Sequence, residues 1–329
     1  MKAWLLPALN GIQTLQIGNV PDPTPAPNEV ILDVEYAALN PADRYLAEGQ
    51  YPARPTFPHI LGRDAIGTIT AVGADVTSIK TGEKMLVLRG DTGVSRPGTF
   101  AQRVAVAADS LVCIPAGWSD QEAAGATLVY LTAFQALTQW DDLAPGVVLV
   151  TGASGGVGVA SIQLGAALGH MPIGLSRSAE KSKVLKTIGA AATFDPRDPQ
   201  WRHQLKEFLG GRRVNLAIDN IGGALFNTVL ETLGENGRLS VVGRLAGPVP
   251  EFNTATLFFR RLRIGGVAVG TYGPPDGQAA WKKIIGLMAQ SKAKPLVDQT
   301  FNFDQLPAAF ERLAQGPMGK VLLKVDKIK

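Results

Sequence analysis

Four glycines follow a short apolar run in the middle of the chain. Residues 147–150 are Val-Val-Leu-Val, and the glycines stand at positions 152, 155, 156 and 158. Three β-branched residues out of four are typical of a parallel strand that is buried on both faces. Residues 157–168 then have helical periodicity and end at Gly169, which suits a left-handed helix cap. A helix that begins in glycines presents backbone N–H groups unshielded by side chains, and these can bind a pyrophosphate.

The glycine spacing departs from the usual dinucleotide fingerprint because Ala153 stands where the first glycine is expected. Taken alone, such glycines could serve only to form a tight turn. The residues that follow favour a ligand instead, because strand-like and helix-like segments alternate as in a doubly wound sheet, whose ligand crevice lies at the carboxyl ends of its strands. The predicted strands are 171–176, 192–195, 214–220 and 238–243, and the predicted helices are 178–188, 200–209 and 224–233.

The end of the second predicted strand distinguishes between the two nicotinamide cofactors. Sheets that bind NAD usually carry an acid there for the ribose 2′-hydroxyl, whereas sheets that bind NADP carry cations. This chain has Ser176-Arg177-Ser178 followed by Lys181, with no acid before Glu180. Both cations could instead be solvated surface charges, which is the commoner fate of such residues. The missing acid together with Arg177 predicts NADPH as the cofactor.

The composition is that of an ordinary globular protein. The 329 residues suffice for two domains with full cores, and 46% of them are hydrophobic and 18% charged. A net charge of +4 without a long basic run gives no reason to expect a nucleic-acid partner. No apolar run approaches the roughly 20 residues of a membrane span and no signal peptide is evident, so we expect a cytoplasmic protein. The single cysteine, Cys113, excludes an internal disulfide and a cysteine-rich metal site.

Residues 1–110 carry a β pattern punctuated by glycines and prolines, which predicts a small, partly closed β barrel. The predicted strands are 2–6, 29–36, 65–72, 84–88 and 98–105. Ser119 and Glu122 fit a capping box, which predicts one helix over 121–136. After residue 243 we expect a helix at 254–259, a strand at 263–269, and a last helix-strand-helix-strand series that ends at 320–325.

A barrel-like part, a dinucleotide domain and a short return segment resemble the medium-chain dehydrogenase/reductase superfamily. The nearest resemblance is to its zinc-free quinone oxidoreductase (zeta-crystallin-like) group, with the enoyl thioester reductases as a near neighbour. It is carried by the motifs at 39–43, 49–51, 58–67, 131–133, 155–158, 219–223 and 319–322. The resemblance implies an α/β protein with a GroES-like barrel (residues 1–121 and 272–329) and a Rossmann NADPH-binding domain (122–271).

The resemblance also implies a set of cofactor-binding residues. They are Thr132, Ala153, Ser154, Gly155, Gly156, Val157, Gly158, Ser176, Arg177, Lys181, Asn220 and Gly243. One departure concerns the 2′-phosphate. Bacterial quinone reductases often hold it with a Tyr near the end of the third strand, and here that position is Pro196.

Metal-dependent relatives hold a catalytic zinc with two Cys and the His of a Gly-His-Glu motif. By the resemblance, Asn40 replaces the first Cys and Arg63 replaces the His. An Arg cannot be a zinc ligand. The resemblance therefore implies that no zinc is bound and that alcohol oxidation through a zinc alkoxide is excluded.

Without a Lewis acid, hydride transfer suits an electrophile that needs little activation, such as a quinone or a double bond conjugated to a carbonyl. The charge that develops on oxygen needs a hydrogen-bond donor, and a proton must follow. Tyr51 matches the tyrosine that enoyl thioester reductases use for this role, in a loop that the resemblance implies lies over the nicotinamide; alternatively it only lines the pocket. Asn40 is a candidate donor to substrate or nicotinamide, or else shapes the loop before Pro41. Asp43 is expected to be a structural anchor.

We therefore expect an NADPH-dependent reductase of a quinone or enone. An enoyl-CoA or enoyl-ACP reductase is the nearest alternative, since arginines at 260, 261 and 263 could attract an acyl carrier. A non-catalytic NADPH-binding sensor or structural protein is the alternative outside enzymes. A short-chain dehydrogenase is excluded, because the glycine motif lies mid-chain and no Tyr-x-x-x-Lys follows it. The apolar stretch at 263–270 is expected at a sheet edge. Relatives pair it across a two-fold axis, so the resemblance implies a homodimer.

Overall fold

The structure is a computed structural model that describes residues 1–88, 90–141, 143–247 and 251–326. The chain divides into two compact units. The first comprises Met1–Leu128, Gly270–Trp281 and Pro295–Lys329, and the second comprises Val129–Val269 and Lys282–Lys294. The domain boundaries expected after residues 121 and 271 stay a prediction.

The regular elements are numbered here in chain order. The strands are β1 Lys2–Leu5, β2 Gln16–Asn19, β3 Glu29–Ala38, β4 Asp64–Val72, β5 Lys84–Val87, β6 Arg103–Ala107, β7 Leu111–Cys113, β8 Val147–Val150, β9 Met171–Leu175, β10 Ala192–Phe194, β11 Val214–Asp219, β12 Leu233–Val241, β13 Arg263–Gly266, β14 Val297–Asn302 and β15 Lys320–Lys324. The helices are α1 Pro41–Ala47, α2 Asp120–Ala124, α3 Thr127–Thr138, α4 Gly156–Ala167, α5 Ala179–Thr187, α6 Trp201–Leu209, α7 Leu225–Thr232, α8 Ala255–Arg260, α9 Pro274–Ser291 and α10 Leu306–Ala314.

The second unit contains a parallel sheet with the strand order β10-β9-β8-β11-β12-β13. All four residues of β8 are buried, as expected for a central strand with helices on both faces. The sheet core is completed by apolar side chains of α6 and α7, among them Trp201 and Phe226. The order reverses at β8, which is the arrangement of a doubly wound dinucleotide-binding sheet. The predicted fold class of this part is confirmed.

The first unit is built around the ten-residue strand β3, which pairs with β4, β6 and β15. Its main sheet follows the path β14-β15-β3-β4-β5-β7, and only the β14–β15 pair is parallel. Aliphatic residues from β3, β4 and β15 form its core together with Phe100 and Phe310, whose rings meet edge to face at 6.1 Å. The predicted GroES-like β architecture is confirmed.

Four predicted elements differ from the structure. The strand expected over 238–243 is β12, which already begins at Leu233 and ends at Val241. The helix expected over 121–136 is two helices, because Gly125 ends α2, and a Cβ there would lie 3.0 Å from Lys320 side-chain atoms. The strand expected over 98–105 is β6, shifted towards the C-terminus. Residues 98–100 instead donate backbone hydrogen bonds to carbonyls of 60–62. The edge strand expected over 263–269 ends at Gly266.

Among the helices of the described ranges, none combines the length and hydropathy that crossing a membrane requires.

Candidate active site and cofactor site

The turn between β8 and α4 carries the predicted phosphate-binding glycines. Gly152 has a φ of 57°, a conformation that favours glycine. A Cβ on Gly158 would lie 2.4 Å from the carbonyl oxygen of Gly152, so this glycine allows the helix to pack against the turn. Gly155 is the N-cap of α4, and a Cβ there would meet nothing nearer than 3.5 Å. The amino end of this 12-residue helix is therefore open to an anion.

Ala153 departs from the fingerprint without closing this site. Its side chain is fully buried, and Gly174 makes room for it, since a Cβ on Gly174 would lie 3.0 Å from that of Ala153. Ser154, Gly156 and Val157 are half-buried in the same turn.

Polar groups gather at the carboxyl ends of β8 and β11. The hydroxyl of Thr151 donates to Asp219 at 2.7 Å and accepts from the backbone N–H of Asn220 at 2.9 Å. The Asn220 side-chain nitrogen donates to the carbonyl of Thr151 at 2.8 Å, while its Oδ1 is buried without a hydrogen-bond partner among the described residues. A Cβ on Gly243 would lie 2.8 Å from the carbonyl oxygen of Asn220. The free Oδ1 is an acceptor that a hydroxyl or amide of a bound cofactor can satisfy.

The residues predicted to select NADPH lie together at the end of β9. Ser176 is buried, Arg177 is exposed, and the Ser178 hydroxyl caps α5 by accepting from the backbone N–H of Lys181 at 3.3 Å. Thr132, the remaining predicted contact, is half-buried on α3.

Arg197 is a cation at this site that the sequence analysis missed. Its Nη2 donates to the backbone carbonyl of Arg177 at 2.6 Å. Its guanidinium also pairs with Asp195, which lowers the pKa of that carboxyl below its usual range through their hydrogen bond. The Asp195 carboxylate is therefore already paired with Arg197. The signal that could have found it is position, because Arg197 follows Pro196, beyond the end of the neighbouring strand β10.

Asn40 lies in a buried polar network of the first unit. It is the N-cap of α1, and its backbone N–H donates to Asp43 Oδ2 at 2.9 Å. Its side-chain nitrogen donates to Asp64 Oδ2 at 2.9 Å, and its Oδ1 accepts from Lys320 Nζ at 2.6 Å. Because the side chain is only 3% exposed and bonded at both ends, this geometry favours the loop-shaping alternative. The catalytic role of Asn40 stays a prediction.

Lys320 occupies the centre of this network. Its ammonium also donates to the carbonyl of Leu39 at 2.8 Å and lies 3.4 Å from Asp64, and burial lowers its pKa. A zinc ion does not fit here. Asn40, which the resemblance puts at the first zinc ligand, is an amide bonded to Lys320, and Arg63, which the resemblance puts at the second, is a guanidinium and cannot bind zinc. Within the described residues, no group of three or more His, Cys, Asp or Glu side chains could hold a metal ion.

Arg63 connects this network to Tyr51. Its Nε lies 3.4 Å from Asp43 Oδ1, and its Cζ lies over the Tyr51 ring at 4.3 Å from the centroid. Asp43 is fully buried, and burial raises its pKa to about 6 against the opposing influence of Arg63. Tyr51 also belongs to the segment Gly49–Arg54, which lines an open pocket of about 530 Å³.

Two protein families match parts of this chain. The family described as zinc-binding dehydrogenase matches residues 156–290, and the alcohol dehydrogenase GroES-like domain matches residues 26–116. The acryloyl-coenzyme A reductase of Sulfurisphaera tokodaii is 28% identical over 98% of this chain and 100% of its own length. A quinone oxidoreductase of Pseudomonas aeruginosa is 29% identical over 93% of this chain and 94% of its own length. The Escherichia coli quinone oxidoreductase solved with NADPH superposes with a TM-score of 0.88 at 26% identity, covering 98% of this chain and 100% of that one.

Proposed function

Because the chain belongs to the medium-chain dehydrogenase/reductase superfamily, and is thus an oxidoreductase, we propose that it is a metal-independent NADPH-dependent reductase. Its substrate is a small quinone or an α,β-unsaturated carbonyl compound. The observation that carries this proposal is the Arg63–Tyr51 pair, in which a guanidinium lies over a tyrosine ring. By the resemblance, Arg63 stands where metal-dependent relatives have a zinc ligand.

NADPH would be held by the open amino end of α4 and by the cations at the ends of β9 and β10. The α4 backbone N–H groups would bind the pyrophosphate, and Arg177, Arg197 and Lys181 would bind the 2′-phosphate. When bound, this cofactor supplies the hydride. A quinone oxidoreductase that resembles this chain was solved with the same cofactor, which supports the assignment.

Tyr51 supplies the proton for an enone substrate. After hydride addition the substrate carries negative charge on its oxygen, and the phenol donates a hydrogen bond to that oxygen or a proton to the α carbon. The phenoxide that remains takes a proton from water. A quinone needs this help less, because a hydroquinone anion can take its proton directly from solvent.

An enoyl thioester reductase is the second candidate, and the resemblance to acryloyl-coenzyme A reductase favours it. The arginines expected to attract an acyl carrier support it less. Arg260 donates to the carbonyl of Leu233 at 2.7 Å, and Arg261 pairs with Glu235 at 2.7 Å. Both guanidinium groups are therefore already engaged within the protein.

A substrate panel together with one variant tests the proposal. NADPH consumption should be measured with quinones, enals, enones and enoyl-CoA. Tyr51→Phe should lower enone or enoyl turnover about 10²–10⁴-fold, the usual contribution of general acid catalysis, and lower quinone turnover much less. An equal effect on enone and quinone turnover would mean that Tyr51 only lines the pocket. Turnover restored only by added zinc would contradict a metal-independent reaction.

We also propose that two copies associate through β13. This strand pairs with β12 on one side and has no strand partner on its other side among the described residues. The helix before it exposes Phe258 and Phe259 by 64% and 78%. Exposed apolar surface beside an open sheet edge is typical of a subunit interface. A cytoplasmic location belongs to the same proposal; there the exposed Cys113 thiol would stay reduced.

A further inference from the structure

We propose that Arg63 is a positioning residue that holds the Tyr51 ring in the orientation from which it delivers its proton. This inference rests on the role given above to Tyr51. By the resemblance, Arg63 stands where metal-dependent relatives have a zinc ligand. In a reaction without metal, its role would be to position Tyr51.

The loop that contains Tyr51 has little regular structure of its own. Between the end of α1 at Ala47 and the start of β4 at Asp64, the only ladder contact is an isolated bridge from His59 to Leu6. Gly49 has a φ of 70°, and the Tyr51 carbonyl accepts one hydrogen bond from the N–H of Ala53 at 2.8 Å. These backbone features alone do not fix the orientation of the Tyr51 side chain.

The tyrosine side chain receives its orientation from packing. Its ring lies at the rim of the first unit's apolar core, and the Arg63 guanidinium lies over one of its faces at 4.3 Å. Planar guanidinium groups stack well on aromatic faces, and the attraction is stronger where water is excluded. No hydrogen bond of the Tyr51 phenol oxygen is found within the described residues, so this oxygen can donate to a substrate.

Arg63 is in turn held by the first turn of α1. Its Nη2 donates to the carbonyl of Ala42 at 3.3 Å, and its Nε faces the buried carboxylate of Asp43. Asp43 is itself fixed by the capping box with Asn40. A chain of contacts therefore runs from a helix end, through a carboxylate and a guanidinium, to the phenol.

The burial of Arg63 distinguishes this contact from an ordinary surface stack. Its side chain is 10% exposed, and its Nε is buried without a hydrogen bond of good geometry. Burying a cation costs stability unless it is paired and hydrogen-bonded, and here its partners are the Asp43 carboxylate and the Ala42 carbonyl. One use of the cation follows from the proposed reaction, because a phenol that has given up its proton is negative and the adjacent guanidinium stabilises it until water returns a proton.

Arg44 provides a matched control one position beyond Asp43. Its guanidinium lies over the Tyr45 ring at 5.5 Å, its side chain is 37% exposed, and it pairs with Glu48. Both arginines thus lie over a tyrosine of the same unit, but only Arg63 lies over Tyr51.

The test compares turnover of an enone and a quinone in Arg63→Met, Arg63→Lys, Arg44→Met and Tyr51→Phe. Arg63→Met should lower enone kcat about 10- to 100-fold, the effect expected for a misplaced catalytic group, and change quinone kcat and the Kd of NADPH little. Arg63→Lys keeps the charge but loses the planar stack, so it should recover part of the loss. Arg44→Met should leave the enone-to-quinone ratio unchanged.

A double-mutant cycle decides whether Arg63 acts through Tyr51. In the Tyr51→Phe background, Arg63→Met should cause no further loss of enone turnover. Full additivity, or an equal loss on both substrate classes, would overturn the inference. If Tyr51→Phe alone has no effect, the proposed role of Tyr51 fails, and this inference with it. Thermal unfolding shows whether each variant folds. If Arg63→Met does not fold, the enone-to-quinone turnover ratio of Arg63→Lys is compared with that of the wild type. An unchanged ratio would then overturn the inference.

Discussion

Arg177 and Arg197 should together decide the preference for NADPH. The Arg197 guanidinium donates to the backbone carbonyl of Arg177, so both residues contribute a cation to the same site at the end of β9. Loss of a charge-assisted contact should weaken NADPH binding about 10- to 150-fold in Arg177→Ala, with less effect in Arg197→Ala and almost none on NADH. Arg202→Ala, an exposed arginine paired with Glu231 on neighbouring helices, is the control. Fluorescence titration giving equal Kd values for both cofactors in the wild type would contradict this assignment.

Asp43 should give the stability of the protein a particular pH dependence. Its pKa rises from 3.8 to about 6 on folding because of burial, while Arg63, Asn40 and Lys320 oppose the rise and Asp64 adds to it. A carboxyl with a raised pKa binds its proton more tightly in the folded state, so its stabilising contribution is present at low pH. This contribution is lost as the pH rises through about 6.

The variant that isolates this effect is Asp43→Asn. The free energy of unfolding of the wild type minus that of the variant should fall between pH 4 and pH 7 and stay constant above that. Urea unfolding at a series of pH values measures the difference. A difference that rises with pH would mean that the pairing of Asp43 with Arg63 outweighs its burial.

Single residues were predictable from the sequence where a backbone pattern determines them. The glycine turn and the Ser119–Glu122 capping box follow from local spacing and lie where expected. Arg63 over Tyr51 and Arg197 beside Arg177 are contacts between loop residues, and no periodicity encodes which loop side chains meet. The buried position of Lys320 depends on strand pairing across most of the chain.

At the scale of elements, the turn between β8 and α4 offers two substitutions that separate folding from binding. Gly158→Ala places a Cβ 2.4 Å from a backbone oxygen and should destabilise the protein by about 1–3 kcal/mol, as overpacking does. Gly155→Ala meets nothing nearer than 3.5 Å, so it should fold normally. The added methyl group fills the space at the amino end of α4, so Gly155→Ala should weaken NADPH binding roughly tenfold. Melting temperatures and cofactor titrations of both variants check this; an unstable Gly155→Ala with normal affinity would contradict it.

The elements of the second unit were more predictable than those of the first. Each β-α unit carries its own apolar period, so most boundaries fell within a few residues of the prediction, with the early start of β12 at Leu233 as an exception. The shifted strand β6 and the break between α2 and α3 have non-local causes. Residues 98–100 bond to the 60–62 segment, and Gly125 meets a lysine from the last strand. Such packing partners are distant in sequence and leave no local signal.

At the scale of the whole molecule, the open edge of β13 predicts a dimer. Replacing both Phe258 and Phe259 by Ser removes the most exposed aromatic surface next to that edge and should yield a monomer in sedimentation experiments. Ile17→Ser, a similarly apolar change on the exposed face of β2, should leave the assembly unchanged. A wild-type protein that is monomeric at micromolar concentration would contradict the proposal. NADPH affinity should be the same in all three proteins.

The position of β15 has a consequence for the order in which the chain folds during its synthesis. Residues 36–38 of β3 pair with β4 on one side and with Lys324, Leu323 and Leu322 on the other, so this second side stays unpaired until almost the whole chain has left the ribosome. The parallel sheet of the second unit is complete by Gly266. Folding on the ribosome should therefore begin in the middle of the chain, although domains usually form from the N-terminus onward. The test is protease digestion of stalled nascent chains that have emerged from the ribosome as far as residue 294. In these chains the second unit should be protected while the first unit is still cut.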